Sequence, residues 1–287
     1  MTAYLTAVAV LTAIIHLINT LIYAVRLAGV KTQRLAMALS LFNVIFLIAS
    51  TANLIQAPLM SAIVENAINA GLKYSGGEDL LANAFYQAQL AVLDRQIRLV
   101  ILASTAGTVL GGLLIPTAVK MFVRGIMLLE DTGSVPRILL KILLAPRAVL
   151  RLTGEVQLPQ LGRFRDSLRE PLRIPVHFLA ANILITGIWT TGVLSALYAG
   201  ALNPQFRMSA GFTSGFVNGV ATVLAFTIVD PTAAMITDQA LRGVREEKDV
   251  RQMAIYLALT RLLGTLLAQA IFIPGAWIIV YVVRLIT

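Results

Sequence analysis

The chain has 287 residues, of which 58% are hydrophobic and 13% charged. A mean hydropathy of +0.83, with apolar runs longer than the ~18 residues that suggest a spanning helix, excludes a soluble fold. A net charge of +9, from 23 Lys and Arg against 14 Asp and Glu, must nevertheless be kept compatible with lipid. Cysteine is absent and only His16 and His177 supply imidazole. Disulfides, thiolate zinc sites and iron–sulfur clusters are therefore excluded, and neither a histidine-rich metal centre nor another cofactor is expected.

Hydropathy predicts six spans, at residues 3–25, 36–58, 99–119, 176–200, 209–229 and 253–282. Each is long enough to cross ~30 Å of hydrocarbon at 1.5 Å per residue. The expected fold is an all-α polytopic membrane protein. Residues 1–25 carry no charged side chain and Arg26 follows the apolar stretch. This is the reverse of a secretory signal, so the first span is expected to stay in the membrane. Arg26, Lys31 and Arg34, the ten cations from Lys120 to Arg173, and Arg242, Arg245, Lys248 and Arg251 place seventeen of the 23 cations on one side. The positive-inside rule then puts both termini outside.

The expected organisation is a first three-helix half, 1–119, a basic cytoplasmic connection, 120–175, and a second three-helix half, 176–287. Residues 65–95 mix polar and apolar positions around Gly76 and Gly77 and read as two short amphipathic helices on the outer surface. In residues 137–152, RILLKILLAPRAVLRL, Arg137 and Lys141 recur at i, i+4, as do Arg147 and Arg151. This reads as a basic interfacial helix interrupted at Pro146, for attachment to anionic lipid at about 1 kcal/mol per cation, or for direct contact with a substrate. A weak repeat relates Gly107–Gly111 to Gly264–Ala268, displaced by 157 positions, and Leu41–Val44 more loosely to Phe216–Gly219. With three spans per half the halves would be inverted, a common construction in transporters; chance matching of Gly and Leu is the alternative.

Polar residues inside the spans fall into stripes. Thr12, His16, Asn19, Thr20, Tyr23 and Arg26 share one face of the first span, and Ser40, Asn43, Ser50, Asn53 and Gln56 one face of the second. Polar groups facing lipid are costly, so both faces are expected to turn to the bundle interior. There they would either make interhelical hydrogen bonds, worth ~0.6 kcal/mol each, or line a wet cavity. Arg261 sits within the sixth span with Thr265 and Gln269 on the same face, and Asp230–Pro231 ends the fifth. An unpaired charge there costs ~2.5–3.5 kcal/mol, so Arg261 is expected either to pair with Asp230 or to meet an anionic ligand. The motifs HExxH, GxxxxGK[ST] and G-x-S-x-G are missing, leaving no support for zinc proteolysis, P-loop ATP use or a hydrolase elbow.

The stretch from His16 through HLINTLIYAVRLAGVKT to Arg34, followed by Ser40-Leu-Phe-Asn-Val, resembles the start of the Amj family of lipid II flippases, the alternative to MurJ. Val229-Asp-Pro and Thr260-Arg-Leu-Leu-Gly-Thr-Leu-Leu-Ala-Gln look like its C-terminal half, over essentially the whole chain. The resemblance implies a multi-pass protein of the bacterial cytoplasmic membrane. It would move lipid II, a polyprenyl pyrophosphate bearing a disaccharide-pentapeptide, to the outer face. Expected partners are lipid II and anionic membrane lipids, with no nucleic acid and the oligomeric state left open. The residues themselves suggest that Arg26, Arg34 and Arg261 engage the pyrophosphate at successive depths. His16, Asn19, Asn43, Asn53 and Gln56 would meet sugar and peptide, with the first, second and sixth spans lining the cavity. Gln269 shares the arginine's face, and Asp230 joins His16 as a candidate proton carrier. An enzyme acting on polyprenyl phosphates and a non-catalytic scaffold of wall synthesis are the competing classes.

Overall fold

The computed structural model describes residues 3–74, 79–134, 137 and 157–286, so the expected basic interfacial helix lies, Arg137 apart, outside the described residues. Helices α1 (Ala3–Thr32), α2 (Leu35–Tyr74) and α3 (Ala84–Thr132) come first, then the short α4 (Leu161–Arg169) and α5 (Val176–Leu202). After a turn at Pro204–Phe206 follow α6 (Arg207–Leu224), a π turn (Ala225–Val229), α7 (Asp230–Leu241) and α8 (Glu247–Ile286). No strand occurs among the described residues. Six helical stretches are long and apolar enough to cross a membrane: α1, α2, α3, α5, the composite Pro204–Leu241, and α8. This multi-pass arrangement contains all six expected spans.

Two boundaries differ from expectation. Residues 65–74 and 84–95 are not separate surface helices: they are the last turns of α2 and the first of α3. Nothing between Pro58 and Tyr74 breaks the helix, and at 40 and 49 residues these helices run ~60 and ~74 Å, well past the ~30 Å of hydrocarbon. Helix α3 begins where Asn83 caps it, the side-chain oxygen accepting from the Phe85 and Tyr86 amides. It ends at Gly133, whose φ of 63° lets its amide reach the Leu129 carbonyl. Asp230–Pro231, expected to end the fifth span, instead lies inside a continuing helix. A proline ring clashes with the carbonyl four residues before it, and the π turn at Ala225–Val229 widens the helix where that clash would fall.

The most extensive packing joins α1 to α3 and α5 to α8. Both contacts are made close by glycine. Gly111 on α3 faces Leu17 and Thr20 of α1, and Gly264 on α8 faces Ile183 and Thr186 of α5; a methyl at either would come within 2.7 Å of its neighbours. Helix α2 packs mainly on α1 and α6 mainly on α5, while α3 meets α8. Four helices thus form an inner bundle with α2 and α6 outside it.

The apolar core is split along the bundle. One large cluster contains Ile18–Val30 positions of α1, Phe122 and Ile126 of α3, Phe178 of α5 and Met253 and Leu257 of α8. The other contains Leu5 and Val8, Leu90–Ile101 positions, Leu194–Ala201 positions and Ala268–Val283 positions of the same four helices. Charge follows the same division. Arg26–Asp230, Lys31–Glu247, Arg34–Glu130 and Arg173–Asp249 pairs gather at the first end, and Glu65–Arg207 and Asp94–Arg98 at the second.

Candidate functional site

Between the two apolar clusters each inner helix carries buried polar side chains. They are Thr12 and His16 on α1, Ser104 and Thr108 on α3, Asn182, Thr186, Thr190 and Thr191 on α5, and Thr260, Arg261 and Thr265 on α8. At 1.5 Å per residue His16 is roughly 14 Å from the end of the first expected span, and Arg261 roughly 12 Å from the start of the last. The polar band therefore sits near mid-membrane.

Most of this waist is internally satisfied. Hydroxyls of Thr12, Thr108, Thr190, Thr191 and Thr260 donate to the carbonyl four residues earlier, at 2.7–2.9 Å. Asn182 Nδ2 donates to the Leu257 carbonyl at 3.1 Å and to Thr260 Oγ1 at 2.8 Å, tying α5 to α8 one turn from Arg261. The exceptions are His16 Nδ1 and Arg261 Nε, and on the outer helix α6 Asn218 Oδ1, packed beside Gly192 of α5; all three are buried without a hydrogen-bond partner. His16 and Arg261 lie within electrostatic reach of each other. Arg261 is only 7% exposed, and no acidic side chain among the described residues pairs with it. The expected Arg261–Asp230 pair is not formed: Asp230 lies 3.7 Å from Arg26 instead, because the helix after the π turn stays at the end of the bundle where α1 also ends.

A cavity of about 90 Å³ adjoins His16. Thr12, Ile15 and His16 of α1, Asn53, Gln56 and Met60 of α2, Val100 of α3 and Trp189, Thr190 and Leu194 of α5 line it. Gln56 Nε2 donates to Thr12 Oγ1 at 2.7 Å, so the stripes on the first two spans do meet. The fourth wall comes from α5 rather than from the sixth span: α8 packs behind α5 and brings Arg261 to His16 without lining the cavity. Asn53 is exposed and Trp189 is 41% exposed, so the cavity opens sideways onto the membrane-facing surface between α2 and α5.

The remaining residues expected at the site lie elsewhere. Arg34 pairs with Glu130 at 2.9 Å at the basic end, and Arg26 is held near Asp230 there. Gln269 is tied to α3, its Nε2 donating to the Arg98 carbonyl and its own carbonyl accepting from Arg98, both at 3.0 Å. Asn43 is exposed on α2, ten residues and ~15 Å along the helix from Asn53. Asn19 is half-buried one turn from His16 and does not line the cavity. Trp189 and Thr190 are site residues that sequence reasoning missed. A signal was present in the sequence: Asn182, Thr186 and Thr190 recur at i, i+4 on one face of α5, and Trp189 adjoins that row. No group of three His, Asp or Glu side chains is placed to hold a metal ion among the described residues.

A sideways-opening polar cavity beside a buried guanidinium suits a ligand that is anionic at one point and stays partly in lipid. The family described as Amj, Alternate to MurJ, matches residues 11–283, which include the whole waist and cavity. The chain belongs to the Amj family. It is 33% identical to the lipid II flippase Amj of Bacillus subtilis (strain 168) over 271 residues, covering 94% of this chain and 93% of that protein. No solved structure matches this Amj protein.

Proposed function

We propose that this Amj protein is a lipid II flippase of the bacterial cytoplasmic membrane, a transporter rather than an enzyme, with both termini outside and two inverted three-helix halves. The observation that carries the reading is Arg261, a buried mid-membrane guanidinium without a carboxylate partner, within electrostatic reach of His16, which lines a cavity open to lipid. Arginine suits a pyrophosphate because its planar fork makes two parallel hydrogen bonds. In this reading Arg261 receives the pyrophosphate, while His16, Asn53, Gln56 and Thr190 meet the sugar and peptide. The polyprenyl tail stays in the bilayer through the opening between Asn53 and Trp189. Arg34 and Arg26 sit at the cytoplasmic mouth, where exchange of Glu130 or Asp230 for the pyrophosphate admits the headgroup. Matching glycine contacts, α1 on α3 and α5 on α8, support the inverted halves.

At ~30 Å³ per water, 90 Å³ holds about three waters, far less than a disaccharide-pentapeptide. Transport therefore requires the halves to rock apart and extend the cavity to Arg261. Reconstitution in proteoliposomes tests this directly. Lipid II placed in the inner leaflet is expected to become accessible outside in a time- and protein-dependent way, with no phosphate released. Release of inorganic phosphate, or exposure no faster than in empty liposomes, overturns the reading.

A further inference from the structure

A second cavity, of about 210 Å³, lies at the opposite end from Arg26 and Arg34, between the start of α1, the last turns of α2 and the first turns of α3. In the reading above this is the outer end. Its polar lining is Asn66, Gln89 and Gln96, with Tyr4 at the edge, over an apolar floor that includes Ile63 and Leu93. None of the three carboxamides is committed to a hydrogen bond with another described residue. Among the described residues no Lys, Arg, Asp or Glu lines the space. Such a site is unsuited to a phosphate or carboxylate, which calls for charge-assisted partners. It is equally unsuited to an acyl chain, which leaves carboxamides unpaired.

Carboxamides both donate and accept, and so match the hydroxyl and acetamido groups of a sugar. The 58% exposed Tyr4 adds an aromatic face at the rim. At about seven waters' volume the space is of the order of one sugar ring. Asn66 lies eight residues past the second expected span and Gln89 ten before the third, while Tyr4 stands at the start of the first, so the site straddles the outer membrane boundary, where a translocated headgroup arrives while its pyrophosphate is still at the membrane surface.

We infer that this carboxamide-lined cavity is a sugar subsite that holds the glycan of the lipid-linked substrate at the outer face, separate from the cationic path. The inference rests on the flippase reading, and the test separates the two. Binding of polyprenyl pyrophosphate and of polyprenyl-pyrophosphoryl disaccharide is measured on the purified full-length protein and on a Gln89→Leu/Gln96→Leu variant, with Asn66→Ala as a second, single-site variant. The expected result is roughly tenfold weaker binding of the disaccharide lipid to the double variant, a smaller loss in Asn66→Ala, and unchanged binding of the bare pyrophosphate lipid. The unchanged arm also shows that the variants are folded. Equal loss for both lipids, no loss for either, or a parent protein that binds both lipids equally well overturns the sugar subsite and leaves the flippase reading standing. A parent protein that binds neither lipid overturns both.

Discussion

Replacing Arg261 by leucine is expected to make the protein more stable and to stop transport. Arg261 is 7% exposed, its Nε has no partner, and no acidic side chain among the described residues neutralises it. A charge at the bilayer centre costs ~2.5–3.5 kcal/mol on insertion scales, while leucine there is favourable by ~0.3–0.6 kcal/mol. The full swing is an upper bound, because the neighbouring cavity and polar waist relieve part of the cost. A net gain of about 2 kcal/mol corresponds to a rise in Tm of roughly 3 °C for a chain of this size. Thermal unfolding in detergent measures the first effect, and lipid II translocation in proteoliposomes the second. A fall in Tm of several degrees shows that Arg261 is a structural anchor and refutes the argument, as does translocation at the parent rate. Arg261→Lys separates charge from geometry. It keeps the cation but not the bidentate fork, so Tm should stay within a degree or two while transport falls.

Two further expectations concern packing. Gly111→Ala places a methyl 2.7 Å from Thr20 Cβ and 2.8 Å from the Leu17 carbonyl, so α1 and α3 must separate by about 0.7 Å to restore ordinary contact at 3.4 Å. The adjacent Gly112 faces open space. Gly111→Ala is therefore expected to destabilise by ~1–3 kcal/mol and Gly112→Ala to stabilise slightly, read as shifts of Tm in opposite directions; equal shifts refute close packing at Gly111. Gln252, 2% exposed, donates toward the Ser167, Glu170 and Pro171 carbonyls and accepts from the Arg173 amide, at 3.2–3.5 Å. Gln252→Ala should free α4 and expose Arg165 and Arg169 to limited trypsin digestion at least several times faster than in the parent, and an unchanged digestion rate would refute that anchoring role.

The spans were legible because length and hydropathy are one-dimensional quantities, and a run of twenty apolar residues needs no partner to be recognised. The stripes on α1 and α2 were legible for a related reason: a 3.6-residue period assigns a face, and Gln56 does meet Thr12. What the chain does not encode locally is azimuth between helices. The Arg261–Asp230 pair, one of two expectations for Arg261, rests on sign and scarcity of charge alone, yet Asp230 lies at the end of the bundle where α1 ends and pairs with Arg26. On α5 a row was legible and went unused: Asn182, Thr186 and Thr190 recur at i, i+4, while Trp189, exposed beside it, carries no period of its own. The surface helices expected over residues 65–95 failed because amphipathicity reports where a helix meets water and not whether it is joined to the helix before it.

The polar waist explains why a hydrophobic bundle can hold a site for a charged ligand without unfolding. Threonine and serine satisfy themselves on their own helix, so a band of hydroxyls lowers the cost of water or ligand entering without demanding either when the cavity is small. That economy is unavailable to imidazole and guanidinium, which are too long to bond back to their own turn. His16 Nδ1 and Arg261 Nε remain without a partner, on inner helices and within electrostatic reach of each other. If the waist served packing alone, leucine or alanine at both positions would pack the same space at lower cost in membrane. In the proposed reading the charge serves a state in which an anionic headgroup supplies the missing partner.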